Sequence, residues 1–311
     1  MGDGSSERAG LALGIGAYGL WGALPLYLHL LSAVPPAQVL AHRILWSLLL
    51  LGAIVLLGRR LAAIRAAARG ATLLALAASA TLIAGNWFIY IWSVANHHMI
   101  EASLGYFVTP LVNVLLGLAL LGERLGRLQG LAILLAAAGV AALVAAGGGA
   151  LWITLGLAFT FSIYGVIRKR VAIDALGGLT VETLLLAPLA LALLLLARHQ
   201  GDAAFGTGTR LDLLLVLAGP VTAVPLLMFA AAARRLRYAT MGVLQYIAPT
   251  LQFLEAVLLF GEPVRRVDLI GFALIWAGCA LYAGASLAGA RTARAPSPPP
   301  SRGPAASGRT A

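Results

Sequence analysis

From residue 104 the chain reads LGYFVTPLVNVLLGLALLGERL and from residue 243 it reads VLQYIAPTLQFLEAVLLFGEPV, both within a sequence that is apolar almost from end to end. The copies align at a constant offset of 139. Pro110 then falls on Pro249, Gly122 on Gly261 and Glu123 on Glu262, while Tyr106, Asn113 and Gly117 fall on Gln245, Gln252 and Ala256. A chain that repeats an apolar, helix-length segment in this way is built from two related halves. In transporters of that construction the substrate site lies near the bilayer midplane, where the halves meet.

Hydrophobic residues make up 61% of the chain and charged residues 11%, against about 45–50% and about 25% in soluble domains. A soluble core cannot use that much apolar surface. Runs of about 20 apolar residues each reach across a hydrocarbon core of roughly 30 Å as a helix, and ten are expected, over 11–31, 36–57, 71–95, 100–121, 126–146, 151–170, 178–197, 211–233, 239–261 and 267–289. The expected fold is therefore an all-α integral membrane protein of ten transmembrane helices. It divides into a short N-terminus (1–10), a first five-helix repeat (11–146), a second (151–289) and a disordered tail (290–311) rich in Pro, Ser, Gly and Arg. The connections are too short for a soluble catalytic domain, so no catalytic residues are expected.

The net charge of +11 follows membrane topology rather than a nucleic-acid partner. With the N-terminus inside, inside segments hold 17 of the Lys and Arg residues and outside segments hold 4: Arg198, Arg210, Arg265 and Arg266. Arg43 lies within a span. Such a bias orients a chain with both termini cytoplasmic. Five spans per half is odd, so the second half enters the membrane from the opposite side and the repeat is an inverted one.

Several familiar patterns carry no function here. Gly14, Gly16 and Gly19 spell G-x-G-x-x-G inside a span, whereas a dinucleotide site needs a strand before it and a soluble helix after it. The opening MGDGSS fits a myristoylation pattern, but ten helices anchor the chain far better than an acyl group. No basic cluster precedes the first span, so a cleaved signal peptide is not expected. His97 and His98 lack zinc-type partners and Cys279 is the sole cysteine, which leaves neither a metal framework nor a disulfide. No cofactor is expected.

Function is sought in polar residues at helical spacing. Asn86, Tyr90, Ser93 and His97 recur at steps of four, three and four; Tyr106, Pro110, Asn113 and Gly117 repeat those steps, as do Gln245, Pro249, Gln252 and Ala256. Polar groups on lipid-bound helices face inward, because an unsatisfied amide in hydrocarbon costs several kcal/mol. The stripes therefore predict a central, partly polar cavity, with interhelical hydrogen bonding as the alternative reading. Pro110 and Pro249 each free a backbone carbonyl and supply a bend. Ionisable residues within spans are costly and are functional candidates: Arg43 with Glu101 as an expected ion pair, Glu182 near Lys169 or Arg170, and Glu255. Glu123 and Glu262 are read as boundary residues. Trp21, Trp46 and Tyr164 add aromatic walls, giving a cavity for an aromatic or amphipathic solute.

The segments YGLWGALPLY (18–27), HRILWS (42–47), NWFIYIW (86–92), EASLGYFVTP (101–110) and QYIAPTLQFLEAVLLFGE (245–262) resemble the RarD-type transporters of the EamA group in the drug/metabolite transporter superfamily. The similarity covers about 11–289. It implies two inverted five-helix halves, a bacterial inner-membrane location and export of small molecules, and it adds weight to Trp21, Arg43, Trp46, Asn86, Tyr90, Glu101, Tyr106 and Gln245. Glu255 departs from the family pattern, where an apolar residue is expected. The expected function is secondary transport of a small metabolite or amphipathic drug by alternating access, with the proton as coupling ion. The substrate contacts are Trp21, Arg43, Trp46, Asn86, Tyr90, Tyr106, Asn113, Tyr164, Gln245 and Gln252; the coupling or gating residues are His97, Glu101, Pro110, Glu182 and Pro249. The expected partners are a small-molecule substrate and the bilayer. A facilitative channel or a non-transporting sensor is the alternative.

Overall fold

The computed structural model describes residues 3–121, 127–145, 150–233, 235–236 and 244–292. Among these the regular elements are twelve α-helices, without a strand: α1 (Asp3–Gly22), α2 (Leu24–His29), α3 (Pro36–Leu57), α4 (Leu61–Ala67), α5 (Gly70–Ala95), α6 (Met99–Leu121), α7 (Arg127–Ala145), α8 (Leu151–Arg170), α9 (Ala175–Gln200), α10 (Thr209–Ala233), α11 (Ile247–Leu258) and α12 (Arg266–Thr292). Six described stretches are long and apolar enough to cross a membrane: Arg8–His29, Pro36–Leu57, Gly70–Ala95, Leu151–Arg168, Ala175–Gln200 and Thr209–Ala232. Gly130–Leu143 and Ile247–Leu258 are shorter apolar helices. Leu57 is 86% exposed and Leu258 72%. Side chains of that kind, spread over the outer faces of apolar helices, suit a lipid solvent, where association rests on close packing rather than on escape from water.

Local chemistry explains the helix boundaries. Pro36 opens α3 at a position whose N–H would be unpaired in any case. Asp174 caps α9, its carboxylate accepting from the Gly177 N–H at 3.1 Å, and Gly201, at φ 83°, ends that helix in the left-handed conformation glycine adopts without strain. Pro188, Pro220 and Pro225 lie inside α9 and α10. Two features depart from the expected spans. The first is divided at Ala23, with Pro25 in the first turn of α2, since proline lacks the N–H that would continue the ladder. The expected 58–70 connection contains α4, whose Ile64 is buried against Val55, Leu76 and Val181.

The main packing pairs are α7 with α12, α6 with α8, α3 with both α9 and α10, α1 with α10, α5 with both α8 and α9, and α11 with α6 and α1. Relating α1–α2 to α8, α3 to α9, α5 to α10, α6 to α11 and α7 to α12 maps this pattern onto itself. The α1–α10 contact then corresponds to α8–α5, and α6–α8 to α11–α1. The α7–α12 seam is close because of glycine: a Cβ on Gly139 would stand 2.8 Å from the Gly271 carbonyl oxygen, and one on Gly278 would stand 2.6 Å from that of Ala132. Cross-contacts gather the connections at two ends. Gln38 bonds Asp202 and Ala204 at one end; Arg60 pairs with Asp174 at the other.

Candidate functional site

Arg43 is the centre of the best-connected polar group. It is 4% exposed on α3, its Nε donates to Thr222 Oγ1 of α10 at 3.0 Å, and its guanidinium lies 4.9 Å from the Trp87 ring centroid. A central arginine costs about 2.5–3.5 kcal/mol on insertion scales, and a hydroxyl acceptor with an aromatic face offsets only part of that. Beside it, the Tyr106 hydroxyl donates to Asn86 Oδ1 at 3.2 Å, and the Asn86 amide donates to the Leu157 carbonyl at 3.0 Å and to Thr160 Oγ1 at 2.9 Å. Tyr90 packs on Tyr106 with centroids 5.6 Å apart. Tyr27, Tyr90 and Tyr106 all lie within electrostatic reach of Arg43.

The expected Arg43–Glu101 pair does not form. Arg43 takes Thr222 instead, and the Glu101 carboxylate stands 3.6 Å from His98 Nδ1. His97 does not continue the Asn86–Tyr90–Ser93 stripe either. Helix α5 ends at Ala95, and His97 sits in the following turn at φ 59°, exposed.

Glu182 differs in another way from expectation. It lies fully buried on α9 rather than reaching to a helix end. It accepts a hydrogen bond from Ser79 of α5, approaches Arg168 Nε of α8 at 3.7 Å, and shares side-chain hydrogen bonding with Tyr164. Its basic partner is thus Arg168; Arg170 is exposed, and the Lys169 side chain lies outside the described residues. Gly178, one turn before Glu182, leaves room for that guanidinium, because a Cβ there would run into it.

A third group joins α1, α10 and α11. The Gln252 amide donates to the Trp21 carbonyl at 3.0 Å, and Trp21 packs on Tyr18 and Phe229 at 5.4 and 5.7 Å. Pro249 is buried in α11, while Gln245 is half-buried just before it. Trp46 stands apart from Arg43: its indole donates to His42 Nδ1 at 3.3 Å, and it faces Phe205 at 6.2 Å. Pro110 and Asn113 fall within α6, but their side chains lie outside the described residues, as does Glu123 altogether. A cavity of about 510 Å³ opens at the Gln38 end among Leu30, Thr207, Arg210, Leu211 and Leu214, and includes no residue of the stripes.

Glu262 is more than a boundary residue. Both carboxylate oxygens accept from backbone N–H groups that open α6, Met99 at 2.8 Å and Ile100 at 2.9 Å. Gly261, at φ 65°, makes the turn that aims it. Burial pushes its carboxyl above the ordinary range, opposed by those two N–H bonds. At the start of α12 the Arg265 backbone N–H and guanidinium donate to the Asp268 carboxylate at 2.8–3.0 Å.

Sequence reasoning did not assign Thr222, Trp87, Tyr27, Ser79 or Arg168 to these groups. Trp87 and Tyr27 were visible as aromatics inside the quoted segments. Thr222 stands between Pro220 and Pro225, a signal of an irregular helix face.

Apolar helices with exposed leucines and polar groups in the interior define a multi-pass membrane protein. The sequence pattern of the EamA-like transporter family matches it twice, over residues 8–145 and 148–284, and the chain belongs to that family. It is 48% identical over 278 residues to an uncharacterized transporter of Pseudomonas aeruginosa, covering 88% of this chain and 93% of that protein. It is 43% identical over 282 residues to Protein RarD of Escherichia coli, covering 90% and 95%. A crystal structure at 23% identity shares the fold, with a TM-score of 0.59 over 89% of this chain and 97% of that one. The family and its named relatives indicate a membrane transporter.

Proposed function

We propose that the chain is a secondary transporter that exports a small metabolite or amphipathic drug across a bacterial inner membrane by alternating access of two inverted five-helix halves, coupled to protons. The observation that carries this reading is the Arg43–Thr222 hydrogen bond, a buried polar contact between the halves in the same layer as Asn86, Tyr90 and Tyr106. The self-mapping pattern of helix pairs supports a two-fold repeat, and an odd number of spans per half makes such a repeat inverted. The Lys and Arg bias supports cytoplasmic termini.

In this reading Arg43, Asn86, Tyr90 and Tyr106 contact substrate, with Asn113 on the same helix as Tyr106. Trp21, Gln245 and Gln252 form the corresponding wall in the second half, and Trp46 and Tyr164 border the path toward opposite ends. Pro110 and Pro249 supply bends, while Glu101 and Glu182 carry coupling or gating. Neither nucleic acid nor a cofactor takes part, and the chain performs no enzymatic step.

The test is a thermal-shift screen of purified protein against amino acids, nucleosides and amphipathic antibiotics, followed by counterflow of any hit in proteoliposomes. Saturable counterflow that falls at least tenfold in Arg43→Ala and Asn113→Ala is the expected result. Binding without counterflow would replace the transporter by a sensor.

A further inference from the structure

The Arg43 guanidinium has donors to spare and no charge to meet. Its Nε is taken by Thr222 and one face by Trp87, yet Nη1 is buried without a hydrogen-bond partner. Among the described residues Arg43 stands in no ion pair; the pairs that form are Arg60–Asp174, His98–Glu101, Arg168–Glu182 and Arg265–Asp268. Glu262 is occupied with backbone at the Gln38 end. The groups that act on Arg43 electrostatically are three phenols, which are neutral near pH 7. Two are already committed as donors, Tyr27 to the Leu214 carbonyl and Tyr106 to Asn86. The third, Tyr90, is 3% exposed and its hydroxyl has no partner.

Ser47, one turn along α3 from Arg43 and so on the same helix face, is fully buried with its hydroxyl also unpartnered. Glu255 also has a buried carboxylate oxygen without a partner and lies within electrostatic reach of Tyr90, but it forms no ion pair with Arg43 and accepts no hydrogen bond from Tyr90 or Ser47. The region thus offers a cation and two hydroxyl donors that no carboxylate among the described residues engages. A buried charge and buried donors are both costly when left unpaired.

We infer that Arg43, with Tyr90 and Ser47, receives the carboxylate of a small monoanionic substrate. A monoanion leaves the buried site neutral, whereas a dianionic phosphate would leave a net negative charge in a low-dielectric interior. The guanidinium fork matches a carboxylate with two parallel donors, and the Tyr90–Tyr106 pair provides an aromatic wall beside it. This inference names the substrate class for the site proposed above and rests on that reading.

The experiment uses the full chain in phosphatidylethanolamine–phosphatidylglycerol vesicles. Tryptophan fluorescence is titrated with acetate, butyrate, phenylacetate and indole-3-acetate, and with the primary amide of each. At least one acid is expected to bind about tenfold or more tightly than its amide, the scale of a hydrogen-bonded charge. Arg43→Gln abolishes that preference and Arg43→Lys retains part of it. Because loss of a buried guanidinium can cost the fold, Tyr90→Phe is the second variant, weakening the acid about threefold or more and the amide by a smaller factor, since a charged acceptor gains more from the hydroxyl than a neutral one. No preference in any pair, or a preference that survives Arg43→Gln, overturns the inference. Counterflow is read separately on the same vesicles. Acid-selective binding without counterflow keeps the carboxylate site and removes the transport reading. Counterflow of amides alone does the reverse.

Discussion

At the residue scale, the buried side chains that matter most are those whose partners come from another helix. Glu182 is held by Ser79, Tyr164 and Arg168 from two neighbouring helices. Replacing it by Ala leaves the largely buried Arg168 unpaired, and breaking a buried pair from one side costs about 3 kcal/mol. Gly178→Ala is expected to displace the same guanidinium, so the double variant should melt close to the worse single one instead of adding the two losses. Thermal unfolding of the four proteins in detergent checks this; additive losses would separate Gly178 from the pair. The sequence made Glu182 conspicuous as an acid within a span, yet it could not disclose Arg168. The two flank the turn between α8 and α9, and the choice among Arg168, Lys169 and Arg170 depends on the rotation of α8 about its axis. Arg43 shows the same limit. Its depth could be read from its distance to the span start, but Thr222 is contributed by the other half of the chain.

Among elements, α6 is held by a carboxylate from the connection between α11 and α12. The Glu262 bonds to the Met99 and Ile100 N–H groups satisfy two of the four donors a helix N-terminus leaves open, and the helix dipole favours an anion there. Removing them with Glu262→Ala is expected to cost about 1 kcal/mol. The pH dependence has a definite sign. Burial raises the carboxyl in the folded state, so the folded protein holds its proton more tightly than the unfolded chain does. The stabilising contribution of that proton is full below the ordinary carboxylate range and is lost as pH rises through the raised value. Wild type should therefore lose stability relative to Glu262→Gln between acid and neutral pH, as measured by melting both across that interval. A difference that grows in favour of wild type toward neutral pH would show that the N–H bonds outweigh burial. The sequence marked Gly261 and Glu262 as repeated with Gly122 and Glu123, which located the turn but not its target. The limits of α3 were legible because Pro35, Pro36 and Gly58 bracket an apolar run. Helix α4 was not, because its seven residues are held by contacts of Ile64 with α3, α5 and α9.

For the whole molecule, composition and the repeat fixed the solvent and the two-part construction before any contact was known. The way helices from the two halves interleave could not be read from spacing. Helix α3 of the first half lies against α9 and α10 of the second, and α8 of the second lies against α5 and α6 of the first. With each half built into the other, buried acids such as Glu182 sit between elements that the proposed alternating access would move past one another. A carboxylate in that position can take a proton when its basic partner withdraws and return it when the partner closes again. Transport coupled in this way should depend on the pH difference across the membrane. In proteoliposomes loaded with a counterflow substrate, collapsing that difference with nigericin is expected to remove concentrative uptake while leaving exchange at equilibrium intact, and Glu182→Gln should reproduce that separation without nigericin. Uptake that remains concentrative after the gradient is gone would exclude proton coupling and leave facilitated exchange through the same interleaved halves.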